Sequence, residues 1–342
     1  MDAQEFEDGL AATNLLPGPA STQLAIFCAW RLRKVPGAIL GGLCFILPGL
    51  VIIIALSAVF LARHPPIWIL GAAAGAGAAV PAVALHAASR LVAPSLQRIG
   101  ASRAAHYRWM TYSLLGAFSA AVIGSYVVLV LLGCGVVEIW VRSAGRSPSS
   151  RAHALAPVAL LHTVVVAGLG ALAWEALKIG ALSYGGGFVI IPLMQHDVVS
   201  TFHWMTGAQF LNAVALGQIT PGPVVLTIAV VGYAVAGVGG ALLAALIAFT
   251  PSFLFVILGA KHFDRVRSNH TVKSFLAGAS PAVIGAIAGS AIPLGLSLHH
   301  AWQIPLLGGA LLWLFLARRG VVSGLLLAGG VGVILALVGV AV

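Results

Sequence analysis

Leu15-Leu16-Pro17-Gly18-Pro19-Ala20-Ser21-Thr22-Gln23 reads as an apolar helix broken in mid-course, and the same break returns in Gly217-Gln218-Ile219-Thr220-Pro221-Gly222-Pro223. Proline has no amide to donate and its ring collides with the preceding turn, so Pro-Gly-Pro interrupts a helix wherever it falls. Both copies sit in apolar runs too long and too uncharged for a water-soluble core. At membrane depth a broken helix leaves backbone groups that hydrocarbon cannot hydrate, and such breaks are kept where they line a cavity or a substrate site. The pair of breaks therefore predicts a membrane transporter.

Composition agrees. Of 342 residues, 60% are hydrophobic and 8% charged, and the mean hydropathy is +1.06. A soluble protein carries about 25% charged residues. No ten-residue alternating pattern suggests a barrel, so the expected class is an all-α polytopic membrane protein. The net charge of +10 resides in loops between apolar spans. There it marks the cytoplasmic side rather than a nucleic-acid surface. Cys28, Cys44 and Cys134 lie in apolar segments without metal or disulfide spacing. The acidic start, Met1-Asp2-Ala3-Gln4-Glu5, is not a signal peptide.

Taken in order, an apolar segment at 6–30 is followed by the basic turn Arg31-Leu32-Arg33-Lys34 and spans at about 38–61 and 67–89. The segment from Arg90 to Arg108 holds four arginines, and a further apolar run covers 109–141 with a weak point at Gly124-Ser125. A Ser/Pro/Gly-rich stretch at 142–153 reads as a cytoplasmic linker. The second half holds spans at about 154–173, 205–234, 239–260 and 275–297, and a last apolar run at 302–342 split by Arg318-Arg319. Phe6, Pro17 and Pro19 align with Phe210, Pro221 and Pro223 at one constant spacing. Leu47-Pro48 aligns with Thr250-Pro251, and Pro81-Ala82-Val83 with Pro281-Ala282-Val283. Three proline-anchored blocks in one order indicate duplication: a first repeat at 1–141 and a second at 154–342.

Charge gives the orientation of the copies. The basic loops 31–34 and 90–108 have uncharged counterparts near 233–238 and 298–301, whereas basic 261–273 corresponds to 62–66 with only Arg63. The bias inverts, so the expected fold is two inverted-topology repeats with broken or re-entrant helices. The runs at 109–141 and 302–342 are then hairpins, with Arg318-Arg319 cytoplasmic and Val342 on the opposite side.

A helix restarted after Gly18 or Gly222 presents free amides and a partial positive charge, which suit an anion. Thr13, Asn14, Ser21, Thr22 and Gln23 cluster at the first break, and Gln218, Thr220 and Thr227 at the second. These side chains could replace the hydration of an oxyanion; the alternative is a packing kink with local caps. Gly185-Gly186-Gly187 is a poor helix interior and reads as a re-entrant loop close to substrate or as a tight helix crossing. Glu175 and Lys178, three residues apart, are most simply a surface ion pair. The sharper reading makes Lys178 an anion attractor and Glu175 a proton carrier. For His196 and Asp197 interfacial solvation is the default, with proton coupling as the alternative. The histidines, His299-His300 included, lack metal-site spacing, and there is no nucleotide fingerprint or catalytic triad. No cofactor is expected, and transport would be secondary or passive.

The chain resembles the chromate ion transporter family in four stretches. These are Leu15 to Ala25 around Pro17-Gly18-Pro19, Cys44-Phe45-Ile46-Leu47-Pro48, Lys178-Ile179-Gly180-Ala181-Leu182-Ser183-Tyr184-Gly185-Gly186-Gly187-Phe188, and Gly217 to Pro223. The resemblance implies a two-domain protein of the bacterial inner membrane, not an enzyme, that exports chromate using the proton-motive force and confers chromate resistance. Sulfate or another anion, a passive channel and an inactive remnant are the competing readings, and a homodimer is the assembly considered. One feature departs from the pattern. Lys178 and its glycine-rich neighbour precede Phe210, but only five residues precede Phe6. The expectation is a start site further upstream or a first repeat without its opening element.

Overall fold

The computed structural model describes Thr13 and residues 18–62, 64–99, 102–124, 127–143, 168–183, 188–259 and 269–341. Pro17, Asn14 and Gly185-Gly186-Gly187 lie outside the described residues. Eleven helices are described: α1 (Ala20–Phe60), α2 (Ile67–Ile99), α3 (Arg103–Phe118), α4 (Val127–Ser143), α5 (Leu169–Leu182), α6 (Ile190–His196), α7 (Gly207–Ile219), α8 (Thr227–Gly259), α9 (His270–Leu296), α10 (Gln303–Leu311) and α11 (Val321–Leu337). The described residues contain no strand. The protein is an all-α, multi-pass membrane protein. Four of its helices, α1, α2, α8 with its 3-10 lead-in, and α9, are long and apolar enough to cross a bilayer.

α1 has 41 residues, which at a rise of 1.5 Å would extend about 60 Å, twice a hydrocarbon core. It does not run straight. Arg33 (φ −136°, ψ 24°) and Lys34 (φ 51°, ψ −134°) leave helical geometry, and Gly37 and Gly41 then pack on Ala29 and Ala25 of the preceding segment. α1 is a tight helical hairpin, and the basic turn expected at 31–34 is its tip. α8 repeats the device at Ala236 (φ −148°, ψ 32°) and Gly237 (φ 59°, ψ −146°), where Gly232 and Gly240 face each other's carbonyls. Lysine adopts at one tip the positive φ that glycine supplies at the other.

Small residues are packed at the helix contacts, and many large ones are left on the perimeter. Ala78, Ala82, Ala84, Ala244, Ala248, Ala282 and Ala286 are fully buried, whereas Leu40, Leu246, Leu258 and Leu296 are largely exposed. Lipid is as apolar as leucine, so helices associate through close backbone approach rather than by hiding bulky side chains. Gly116, Gly285 and Gly289 lock α3 against α9, and Gly71, Gly75 and Gly332 lock α2 against α11. Ser113 Oγ donates to the Pro281 carbonyl at 3.0 Å across the first of these seams.

The two apolar runs that the sequence splits are hairpins. α3 continues as a π-turn (Ser119–Ile123) before the chain turns at Gly124 (φ 66°) into α4. α10 continues as a π-turn (Leu312–Leu316) before Arg318 (φ 51°) and α11. Each packs on the other half of the chain: α3 and α4 on α9, and α10 and α11 on α2.

Candidate functional site

Gly18-Pro19 and Pro221-Gly222-Pro223 are irregular bends, with Gly18 at φ 119° and Gly222 at φ 135°. Pro19 precedes α1, and Pro223 precedes the 3-10 turn Val224–Leu226 that opens α8; neither start has a side-chain cap. The second bend separates α7 from α8, so this part of the chain is a discontinuous helix. α7 itself begins with a capping box, in which Thr206 Oγ1 accepts from Gln209 N and Gln209 Oε1 accepts from Thr206 N. Each bend leans on the proline-bearing helix of the other half. A Cβ on Gly18 would lie 3.2 Å from Ser252 Oγ, beside Pro251 of α8, and would collide with the Gln23 amide. Gly49, beside Pro48 of α1, packs on the Pro221 carbonyl, and a Cβ on Gly222 would lie 3.7 Å from its Cα.

The first bend is deep. Gly18, Pro19, Thr22 and Gln23 are buried, and Gly18 N donates to Ser183 O, at the end of α5, over 2.9 Å. Thr22 Oγ1, Ser183 Oγ and Ser252 Oγ are buried without a hydrogen-bond partner among the described residues. Ser21, grouped with them by sequence, is exposed. The second bend differs. Pro221 and Gly222 are exposed and Pro223 is buried. Thr220 Oγ1 donates to Leu216 O and Thr227 Oγ1 to Val224 O, both at 2.8 Å. Of its polar set, Gln218 keeps a buried Nε2 with no partner among the described residues.

The expected surface ion pair is neither at the surface nor a pair. Lys178 Nζ lies 2.6 Å from Glu175 Oε2 and also holds Asp197 Oδ2, and all three side chains are less than a tenth exposed. The sequence reading undervalued these residues because Asp197 is remote in the chain. It arrives on the π-turn Asp197–Thr201 that follows α6, and π-turns recur at functional sites. Thr201 Oγ1 reaches Asp197 Oδ1 at 3.5 Å. Two buried carboxylates around one ammonium make a site whose charge changes when a proton is added. His196 is not part of it; its exposed ring lies against Gly124.

A second charge cluster escaped the sequence reading. Buried Glu138 in α4 accepts from Arg108 Nε at 2.9 Å, Arg142 Nε at 2.7 Å and Tyr112 Oη at 3.2 Å. It ties α3 to α4 at the basic ends of both. The available signal was that Glu138 is the only acidic residue between Asp8 and Glu175. A cavity of about 390 Å³ opens elsewhere, between the end of α1 and the starts of α2, α7 and α10. Asn212, His299 and His300 line it, and Gln303 braces it by accepting from His299 N and His300 N and donating to Ala74 O.

Discontinuous helices, small-residue seams and a buried charge triad define a membrane protein of transporter type. The chain belongs to the chromate transporter family, whose profile matches residues 1–139 and 170–340. It is 33% identical to the chromate transport protein of Cupriavidus metallidurans, over 85% of this chain and 72% of that protein. It is 31% identical to a probable chromate transport protein of Synechococcus elongatus, over 89% and 78% of the two chains. The chromate transport protein of Pseudomonas aeruginosa is 30% identical, over 86% and 72%. No solved structure matches.

Proposed function

We propose that the protein is a secondary transporter, not an enzyme, that exports chromate or a related tetrahedral oxyanion across a bacterial inner membrane, coupled to protons, and so confers chromate resistance. The observation that carries this reading is the buried Glu175–Lys178–Asp197 triad on broken helices, in a chain related to chromate transport proteins. Lys178 attracts the anion, and Glu175 or Asp197 carries the proton. An inside-negative potential itself drives an anion outward, by about 2.3 kcal/mol per charge per 100 mV.

On this reading the repeats 1–141 and 154–342 run in opposite orientations, with the linker 142–153 cytoplasmic. Three observations support this. The tips of α1 and α8 share one unusual pair of backbone conformations. Arg108 and Arg142 meet at one carboxylate. The basic-poor loops 62–66 and 298–301 border one cavity, and Trp302 Nε1 donates to Ala341 O at 3.0 Å beside it.

Uptake of radiolabelled chromate into inverted vesicles tests the reading. Accumulation that rises with an imposed proton gradient is expected; accumulation equal to that of vesicles lacking the protein overturns it. Conductance without gradient-driven accumulation would instead establish a passive channel.

A further inference from the structure

Buried hydroxyls in helices ordinarily donate to a carbonyl one turn back in their own helix, and several here do. Ser57 donates to Ile53 O, Thr227 to Val224 O and Ser290 to Ile287 O, at 2.6–2.8 Å. Four buried hydroxyls meet no partner among the described residues: Thr22, Ser119, Ser183 and Ser252. Three of the four belong to the first bend. Thr22 is in the first turn of α1, Ser183 supplies the carbonyl that receives Gly18 N, and Ser252 Oγ faces Gly18. They come from three segments far apart in sequence. Leaving a buried polar group unpaired is costly, so three at one spot call for an occupant.

We propose that the hydroxyls of Thr22, Ser183 and Ser252, with the uncapped first-turn amides of α1, form the seat of a small tetrahedral oxyanion. The site is built for that class of ligand. Hydroxyls and amides are neutral donors that can replace the hydration shell of an oxyanion on several sides, and a helix start adds partial positive charge. Gly18 must lack a side chain for the bend to reach Ser183 and Ser252. Lys178 lies on the same helix as Ser183, about 7.5 Å along its axis at 1.5 Å per residue. It is already shared by two carboxylates, which offset its charge, so the neutral donors rather than the ammonium hold the anion. Ser183 and Ser252 thereby become binding residues. The second bend, whose threonines bond within their own segments, is a backbone counterpart without the seat.

The inference rests on the oxyanion-transport reading, and its test separates the two. The purified full-length protein in detergent is titrated with chromate, sulfate and chloride, following binding by calorimetry and thermal stability. The wild type is expected to bind chromate or sulfate and to ignore chloride. Ser183→Ala and Ser252→Ala are each expected to weaken oxyanion binding roughly tenfold or more, as loss of a bond to a charged group does. Without anion, both variants should melt at or above the wild-type temperature, because each removes an unpaired buried hydroxyl. Thr250→Val, whose hydroxyl donates to Leu246 O, should keep wild-type affinity. Retention of wild-type affinity by Ser183→Ala and Ser252→Ala overturns the seat and leaves the transport reading standing. Lower melting of those variants without anion, with affinity kept, assigns the hydroxyls to packing and also overturns it. A wild type that binds no oxyanion overturns both.

Discussion

The two Pro-Gly-Pro bends share a sequence, a positive-φ glycine and a partner helix in the opposite half, yet they are chemically unlike. At the first, Gly18 is buried against Ser252, and three hydroxyls stand without partners. At the second, Pro221 and Gly222 are exposed, the position facing Gly222 is Gly49, and Thr220 and Thr227 bond locally. Proline and glycine dictate the backbone path in both copies because their constraints are intrinsic to the residue. Whether a bend can bind anything depends on what other segments bring to it. α5 ends at the first bend, and its Ser183 carbonyl accepts from Gly18 N.

That contrast can be broken most forcefully at the triad beside the first bend. Lys178→Met leaves Glu175 and Asp197 buried without a cation. It is expected to cost about 3–5 kcal/mol if both carboxylates stay ionised, and to abolish chromate accumulation in vesicles; wild-type melting and transport would remove the triad from the mechanism. Next come the glycines themselves. Gly18→Ala adds a side chain that collides with Gln23 at a strained φ, for about 2–5 kcal/mol. Gly222→Ala meets nothing closer than 3.2 Å and should lose only the backbone term, about 1–3 kcal/mol. Equal losses in thermal denaturation would contradict the difference in burial between the bends. A bulky residue at Gly222 should abolish transport while membrane insertion, read by fractionation, persists.

A smaller effect is expected away from both bends. Glu138→Gln leaves Arg108, Arg142 and Tyr112 with a neutral acceptor, at about 1–3 kcal/mol, loosening the α3–α4 hairpin. Limited proteolysis between the two helices should then accelerate, and an unchanged rate would reduce the cluster to surface decoration. The smallest change is expected from Thr220→Val at the second bend. Its hydroxyl bonds within its own helix, so the loss is about 1 kcal/mol or less and chromate affinity is retained. A large loss of affinity there would move the binding site to the second bend.

Much of the fold was legible because it follows from residue-intrinsic rules. Pro221-Gly222-Pro223 broke a helix, Pro19 immediately precedes the start of α1, Arg31 to Lys34 formed a turn, and the runs at 109–141 and 302–342 split where Gly124 and Arg318 now reverse the chain. The site was legible only in part. Thr22, Gln23, Lys178, Glu175 and Asp197 were candidates, and the structure buries all five. Ser21 turned outward because it sits one residue from Thr22 on a helix, on a different face. Ser183 stood only as one member of the family-like stretch Lys178 to Phe188, and Ser252 carried no local signal: it is one more serine in an apolar segment until the chain closes around Gly18.

The sequence by itself determined the class of protein and where the helix breaks between α7 and α8, since hydropathy and proline stereochemistry are properties of the chain alone. Tertiary structure decided the rest: that Asp197 joins Glu175 on Lys178, that Arg108 and Arg142 converge on Glu138, and that the first bend rather than the second collects unpaired hydroxyls. Those outcomes depend on helix seams in which a backbone carbonyl fits only over glycine. Such seams fix which segments meet, and no local pattern encodes the meeting of Gly18 with Ser183 and Ser252.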